Sequence, residues 1–268
     1  MSKRPLIHFA HATGMPSPIY QPLFDALAKD YDFIQLPSYL GTDQRYPVDN
    51  HWHSLKYQVI DSIVTQAHGR KVIGIGHSLG AALTLLASYE RPELFERIIL
   101  LDPPLILGKA SLQLHYAKYF NHILLDKITP AHLSLKRRDH WHSREQASEL
   151  LRPKGFYRDF DQRCFDLYLQ YALCNDTVRG GVTLTISRET EVEIFRTNPS
   201  YWWRKQPKPK VKVDMLMGQD SLFLKQGFSE IARRDFAIPY QVIQGGHMFP
   251  LEHPNITAQF IQNILAQS

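Results

Sequence analysis

Residues 74–85 read GIGHSLGAALTL, directly after the apolar run RKVIG, and two kinds of chemistry call for glycines in such a place. Gly74, Gly76 and Gly80 form G-x-G-x-x-x-G, and Asp102 ends the next apolar run about 20 residues further on. A strand-to-helix turn of that kind can cradle a dinucleotide pyrophosphate, with the acid on the ribose. Alternatively, Gly76-His77-Ser78-Leu79-Gly80 is G-x-S-x-G, in which small residues on either side of Ser78 let the backbone turn sharply and hold the hydroxyl clear as a nucleophile. The two readings predict different proteins, and the rest of the chain discriminates between them.

A serine hydroxyl is a weak nucleophile near neutral pH, so a histidine must take its proton and a carboxylate must fix that histidine's tautomer. Of thirteen histidines, His247 stands out, because in VIQGGHMFPLEHP it follows the last apolar run within a Gly-Gly loop that can project an imidazole. Asp220, in MLMGQDSLF, is the expected acid and gives the chain order Ser78, Asp220, His247. Asp102 is its rival, since it also ends an apolar run; its other role would be to cap the joint beside Pro103. A tetrahedral oxyanion needs two donors, expected to be the backbone N–H of Leu79 and that of Thr13 in the loop IHFAHATGM, with Ala12 next in order. His11 is expected to stabilise that loop rather than to react, and His77 to pack. The dinucleotide reading leaves His247, Asp220 and the 11–14 loop without a joint purpose, and hydrolysis is preferred on that ground.

Such residues must be positioned by a scaffold, and the alternation of short apolar runs with amphipathic stretches describes one. PLIHFA (5–10), DFIQL (32–36), KVIGIG (71–76), RIILLD (97–102), KVDMLMG (212–218) and YQVIQ (240–244) read as strands. Segments 19–29, 52–67, 79–89, 222–234 and 255–266 carry apolar residues at helical spacing. The fold class is therefore α/β, a doubly wound and mostly parallel sheet of about six strands. Residues 1–102 and 206–268 are expected to form the core. Residues 103–205, bounded by DPP and QPKPK, show helical patterns rich in aromatic residues and are expected to form an inserted helical cap over the carboxyl ends of the strands.

Composition bounds the partners. Hydrophobic residues make up 44% of the 268 and charged residues 21%, values of an ordinary globular protein. The net charge of +5 is dispersed except in KRR (136–138) and RKQPKPKVK (204–212), so solvated basic faces are expected rather than a nucleic-acid site. After Lys3 and Arg4 only LIHFA precedes polar residues, too short for a secretory core, and no run approaches the ~18 apolar residues of a membrane span. Cys164 and Cys174 lack metal-ligand spacing and are expected to be reduced thiols in a cytoplasmic protein. No metal and no cofactor are expected, and oligomeric state is not legible.

With HATG (11–14) as an oxyanion loop, GHSLG (76–80) as the elbow, GQD (218–220) as an acid turn and GGHMFPLE (245–252) as a histidine loop, the sequence resembles the α/β-hydrolase superfamily. The resemblance implies a mostly parallel sheet of eight strands, here shortened to six at the N-terminal side. It also implies a Ser78/Asp220/His247 triad, donors at Thr13 and Leu79, no cofactor, and a lid after the strand that ends at Asp102. The stretch LSLKRRDHWHSREQASELLRPKGFYRDFDQRCFDLYLQYAL is similar to lids of lipase-like and toxin-biosynthesis-like members. The leading expectation is a serine esterase or lipase-like enzyme acting on a small apolar acyl substrate. A thioesterase, an acyltransferase and a carbon–carbon bond hydrolase would use the same groups, and a non-catalytic ligand receptor is the reading from another class. Epoxide hydrolase and dehalogenase chemistry would ordinarily need an aspartate in place of Ser78.

Overall fold

The computed structural model describes residues 4–267; Lys3 of the N-terminal reading lies outside the described residues. Six parallel strands form the main sheet: β1 (Leu6–Ala10), β2 (Asp32–Gln35), β3 (Val72–His77), β4 (Phe95–Leu101), β8 (Lys212–Gly218) and β9 (Tyr240–Ile243). Their order is β2-β1-β3-β4-β8-β9. β1 and β3 are buried along their whole length, as expected of central parallel strands covered on both faces. Successive side chains then enter opposite layers. Ile99 and Leu101 of β4 join Phe9 and Ile75 on one face, while Ile98 and Leu100 join Ala10 and Val72 on the other. Each such aliphatic side chain contributes about 1.5–3 kcal/mol on burial.

Helices α1 (Gln21–Leu27) and α14 (Pro254–Ala266) cover the first face through Phe24, Leu27 and Ile261. Helices α2 (His53–Gln66), α3 (Leu79–Glu90) and α12 (Phe228–Phe236) cover the second through Val59, Leu83 and Ala232. Two single-turn helices, α11 (Leu222–Lys225) and α13 (Phe249–Glu252), stand in the connections after β8 and β9. The chain leaves β1 for β2 on one side and returns to place β3 on the other, so the loops after β1 and β3 diverge at the carboxyl edge. Open α/β sheets leave a crevice at such a switch point.

Between β4 and β8 the chain runs through α4 (Gly108–Phe120), α5 (His122–Ile128), α6 (Ala131–Lys136), α7 (Arg144–Leu151), α8 (Gly155–Arg158), α9 (Gln162–Tyr171) and α10 (Arg188–Arg196). The expectation of helices alone is corrected by a second, antiparallel sheet, order β5-β7-β6, made of β5 (His140–Trp141), β6 (Leu173–Asn175) and β7 (Val182–Leu184). Strands of two or three residues are too short for an alternating pattern to be read. Trp141, Tyr157, Phe160, Phe165 and Tyr168 are buried in the same apolar cluster as Phe9 and Phe24. These aromatic residues of the inserted segment thus share the core on that side of the molecule, whereas Tyr116, Tyr119, Phe120, Phe156 and Trp203 are exposed.

In the basic run 136–138, Lys136 and Arg138 are exposed as expected, and Arg137 alone departs from a solvated face. Arg137 donates to both carboxylate oxygens of the buried Glu191, at 2.6 and 2.7 Å, and to the Tyr168 hydroxyl. Glu191 in turn lies against Gly14, so α10 rests on the loop after β1. Cys164 is buried and Cys174 exposed, both as free thiols. Among the described residues no helix is long and apolar enough to cross a membrane.

Candidate active site

Ser78 sits between the end of β3 and the first turn of α3 at φ 52°, ψ −119°, a conformation that costs a non-glycine residue about 1–3 kcal/mol. Its surroundings explain how the strain is held. The Ser78 N–H donates to the Leu101 carbonyl at 2.9 Å, and its carbonyl accepts from Ala82 at 3.1 Å, so strand pairing grips one side and helix bonding the other. Gly76 lies directly under the carbonyl of Gly80, and Gly80 lies against the carbonyls of Ala10 and His11; a Cβ at either position would overlap backbone. The two glycines thus let the turn close on itself and let α3 start beside the loop after β1. Gly74 serves packing, since Thr84 and the Phe95 ring occupy the space in front of it. This leaves the glycines no room to cradle a phosphate.

Neither Gly76 nor Gly80 can gain a methyl group without backbone movement. Gly80→Ala is therefore expected to destabilise the fold by about 1–3 kcal/mol, the usual cost of overpacking, and to lower activity in the fraction that folds. Urea denaturation monitored by circular dichroism checks it; an unchanged midpoint would contradict the close approach.

The hydroxyl of Ser78 lies 2.9 Å from His247 Nε2, and His247 Nδ1 lies 2.6 Å from Asp102 Oδ2. A carboxylate oxygen accepts, so Nδ1 carries the proton and Nε2 is left with a lone pair facing the serine. Asp102 is fully buried and receives two further donors, the Gly218 N–H at 3.0 Å and the Ser221 hydroxyl at 2.5 Å. Three donors converging on one side chain hold it rigidly and satisfy it inside the protein.

The structure thus corrects the expected acid. Asp220 does not meet His247: its side chain is 71% exposed and reaches only Lys225, at 3.4 Å. The reason lies in the turn after β8. Gln219 and Asp220 donate their backbone N–H groups to Ile243 and Gly245, while Gly218 lies against the carbonyls of Gly245 and Gly246. This pairing turns Ser221 inward and Asp220 outward. Chain order could not separate the two acids, because both fall between Ser78 and His247. A usable signal was the carboxylate closing the wholly apolar run IILLD.

The loop after β9 is shaped by its glycines and by Glu252. Gly245 has φ 112°, and the Gly246 N–H donates to Glu252 Oε2 at 2.9 Å. Burial raises the Glu252 carboxyl above its ordinary range, with the Gly246 hydrogen bond acting the other way. The Phe223 ring packs edge-on to the imidazole of His247, centroids 5.4 Å apart, so that imidazole is flanked by an apolar surface.

On the other side of the serine, the loop 11–14 turns through Gly14 at φ 72° and closes with a Met15 N–H to Ala12 carbonyl bond of 3.1 Å. His11 does what was expected of it. Its Nδ1–H donates to the Ala12 carbonyl at 2.8 Å, and its Nε2 accepts from Leu40 at 3.1 Å. Burial pushes its pKa down to about 4, which keeps it neutral. The Ala12 N–H is directed to the Tyr20 hydroxyl, 3.4 Å away. Thr13 and Leu79, the expected donors, belong to two segments that Gly80 brings together. The expectation that His77 merely packs is also incomplete, because both of its ring nitrogens are bonded. Among the described residues no group of three or more His, Cys, Asp or Glu side chains is placed to hold a metal ion.

A hydroxyl, an imidazole and a carboxylate in line, at a strained turn, can carry out acyl transfer. Several known proteins are similar to this chain. The type I acyl-CoA thioesterase of Penicillium roqueforti is 26% identical over 176 residues, which are 60% of this chain and 38% of that protein. An abhydrolase domain-containing protein of Alternaria alternata is 30% identical over 138 residues, 48% of this chain and 45% of that one. The chain thus spans less than half the length of these curated relatives. The same fold occurs in E-2-(acetamidomethylene)succinate hydrolase, with a TM-score of 0.74 and 18% identity over 99% of this chain and 92% of that one. It occurs again in the thioesterase domain from the curacin biosynthetic pathway, with a TM-score of 0.69 and 16% identity over 97% and 91% of the two chains. The sequence profile of the alpha/beta hydrolase family matches residues 9–260, nearly all of the sheet and both loops that meet at Ser78, and the chain belongs to that family.

Proposed function

We propose that this chain is a serine hydrolase that cleaves an acyl ester or thioester through an acyl-enzyme, with Ser78 as nucleophile, His247 as base and Asp102 as orienting acid. The observation that carries the reading is the continuous bonded line from Asp102 Oδ2 through His247 to Ser78 Oγ, at 2.6 and 2.9 Å. Ser78 Oγ attacks the carbonyl carbon while its proton passes to His247 Nε2, and the resulting imidazolium is stabilised by Asp102. The N–H groups of Leu79 and Thr13 receive the oxyanion, an interaction worth about 3 kcal/mol per donor in comparable sites. Collapse expels the alcohol or thiol, which takes the proton from His247. Water then loses a proton to the same nitrogen as it attacks the acyl carbon, and collapse of this second tetrahedral intermediate returns that proton from His247 to Ser78 Oγ, freeing the serine and the acid.

The inserted segment is assigned as a cap, since α10 rests on the loop after β1 through Glu191 and on Gly41 through Thr190 and Ile194. The Phe223 ring beside His247 favours an apolar acyl group. An ester and a thioester would be opened by the same steps. The acyl-CoA thioesterase name of the Penicillium relative supports testing the thioester on equal terms.

The experiment is a panel of p-nitrophenyl esters and acyl thioesters of increasing chain length, followed in the pre-steady state, with fluorophosphonate labelling mapped by peptide mass. A burst of alcohol or thiol and a label on Ser78 are expected. Turnover of neither class, with no label on Ser78, would refute the reading; tight binding of an acyl ligand without labelling would point to a receptor.

A further inference from the structure

We infer that Tyr20 and His77 are positioning residues that lock the loop after β1 to the loop after β9, through a hydrogen-bonded chain from the Ala12 amide to the His247 carbonyl. The inference rests on the serine-hydrolase reading and adds to it a device that holds the two halves of the site in register. Neither side chain takes part in the bonded line from Asp102 to Ser78 Oγ, so neither is needed for the proton transfer itself.

Three contacts make up the chain. The Tyr20 hydroxyl lies 2.6 Å from His77 Nδ1, His77 Nε2 lies 2.9 Å from the His247 carbonyl oxygen, and the Ala12 N–H points to the Tyr20 hydroxyl at 3.4 Å. Tyr20 and His77 are both fully buried. Burial, with the nearby His247 as a second cause, holds the His77 imidazole well below its ordinary pKa and therefore neutral.

Donor and acceptor rules then allow one direction only. A backbone carbonyl accepts, so the single ring proton of His77 sits on Nε2 and is donated to His247. Nδ1 is left with a lone pair, which takes the proton of the Tyr20 hydroxyl. With its proton committed, that hydroxyl oxygen accepts the Ala12 N–H. Ala12 is thereby engaged, and Thr13 is the donor the loop retains for a reacting oxygen.

The position of His77 gives the chain its leverage. It is the last residue of β3, immediately before Ser78, so the strand that carries the nucleophile also carries the tie between the two loops. The His77 and His247 rings are 5.2 Å apart, and a shift of one loop would be felt by the other through the shared ring. A misplacement of about 1 Å is enough to cost roughly 100-fold in rate.

Two substitutions separate positioning from packing. Tyr20→Phe keeps the ring that packs on Phe9 at 4.6 Å and removes only the hydroxyl. His77→Gln keeps a donor toward the His247 carbonyl, whereas His77→Leu keeps none. Using the full chain and the best substrate of the panel, Tyr20→Phe is expected to lower kcat about 10- to 100-fold per folded molecule, with KM changed by less than about twofold and the thermal midpoint lowered by roughly 2–10 °C, because the buried His77 Nδ1 and Ala12 N–H lose their partner. His77→Gln should retain clearly more kcat than His77→Leu, and Tyr20→Phe combined with His77→Leu should be no worse than His77→Leu alone, because both act through one chain.

A second readout needs no substrate. Ring ¹⁵N spectra of His77 should show a protonated Nε2 and an unprotonated Nδ1 from about pH 5 to about pH 9, and Tyr20→Phe should shift the ring signals of His247. An unchanged kcat in Tyr20→Phe, equal kcat in the two His77 variants, or a His77 ring protonated at Nδ1 would each overturn the inference. Wild-type protein that turns over no acyl compound, with the ring spectra as stated, would instead sink the hydrolase reading.

Discussion

Ser78→Ala is expected to lower kcat on the ester or thioester substrate by roughly a millionfold, the scale seen when a serine nucleophile of this kind is removed. The hydroxyl is the group that the His247 lone pair faces at 2.9 Å, so its loss removes the covalent route altogether. The residual rate is the contribution of the oxyanion donors and of substrate binding, about 10³–10⁴ over water. The comparison is made by kinetics normalised to folded protein, with fluorophosphonate labelling as the second measure. A variant that kept its burst phase would place the nucleophile elsewhere.

The same position carries a stability effect of opposite sign. Alanine inherits the φ of 52° and its strain, whereas glycine adopts that conformation freely. Ser78→Gly should therefore be as inactive as Ser78→Ala yet more stable than it by about 1 kcal/mol, read from the denaturation midpoint. The backbone cost at this turn is the counterpart of presenting the hydroxyl.

Asp102→Asn is expected to reduce kcat about 10⁴-fold, as when the orienting carboxylate of such a triad is made an amide, whereas Asp220→Asn should stay within about twofold of wild type. An amide at position 102 cannot accept from all three groups that converge there, the Gly218 N–H, the Ser221 hydroxyl and His247 Nδ1–H. His247 would then take up the tautomer with its proton on Nε2, facing Ser78, and could no longer act as base. The Asp220 carboxylate loses only a solvent-screened contact with Lys225, of a class worth less than about 1 kcal/mol. Thermal midpoints of both variants allow activity to be normalised to folded protein. If Asp220→Asn proved to be the crippled one, the bonded line at Asp102 would not be the working arrangement.

Much of the scaffold was legible in the residues alone, because it depends on short-range patterning. The runs PLIHFA, KVIGIG and KVDMLMG are apolar enough to be central parallel strands, and they pair as β1, β3 and β8. G-x-S-x-G was readable because the residues of the turn itself stand together in the chain: Gly76 is required by contact with Gly80 and Ala81, although Gly80 is required by Ala10 and His11, at the distant end of β1 and in the loop after it. The short strands of the inserted segment were not readable, since β5, β6 and β7 exist only through pairing with one another.

By itself, then, the sequence determined the alternation of strands and helices, the strained serine turn, and a histidine in a glycine loop. Only the tertiary structure decided which aspartate meets that histidine and that Tyr20 and His77 tie the two loops together. Asp102 and Asp220 follow adjacent parallel strands, β4 and β8, at one edge of the sheet, and both stand between Ser78 and His247 in the chain. They differ in the direction a side chain leaves its turn, which is set by backbone bonds from residues 219 and 220 to the strand and loop at 243–245. That direction is a long-range property, carried by no local pattern of residues.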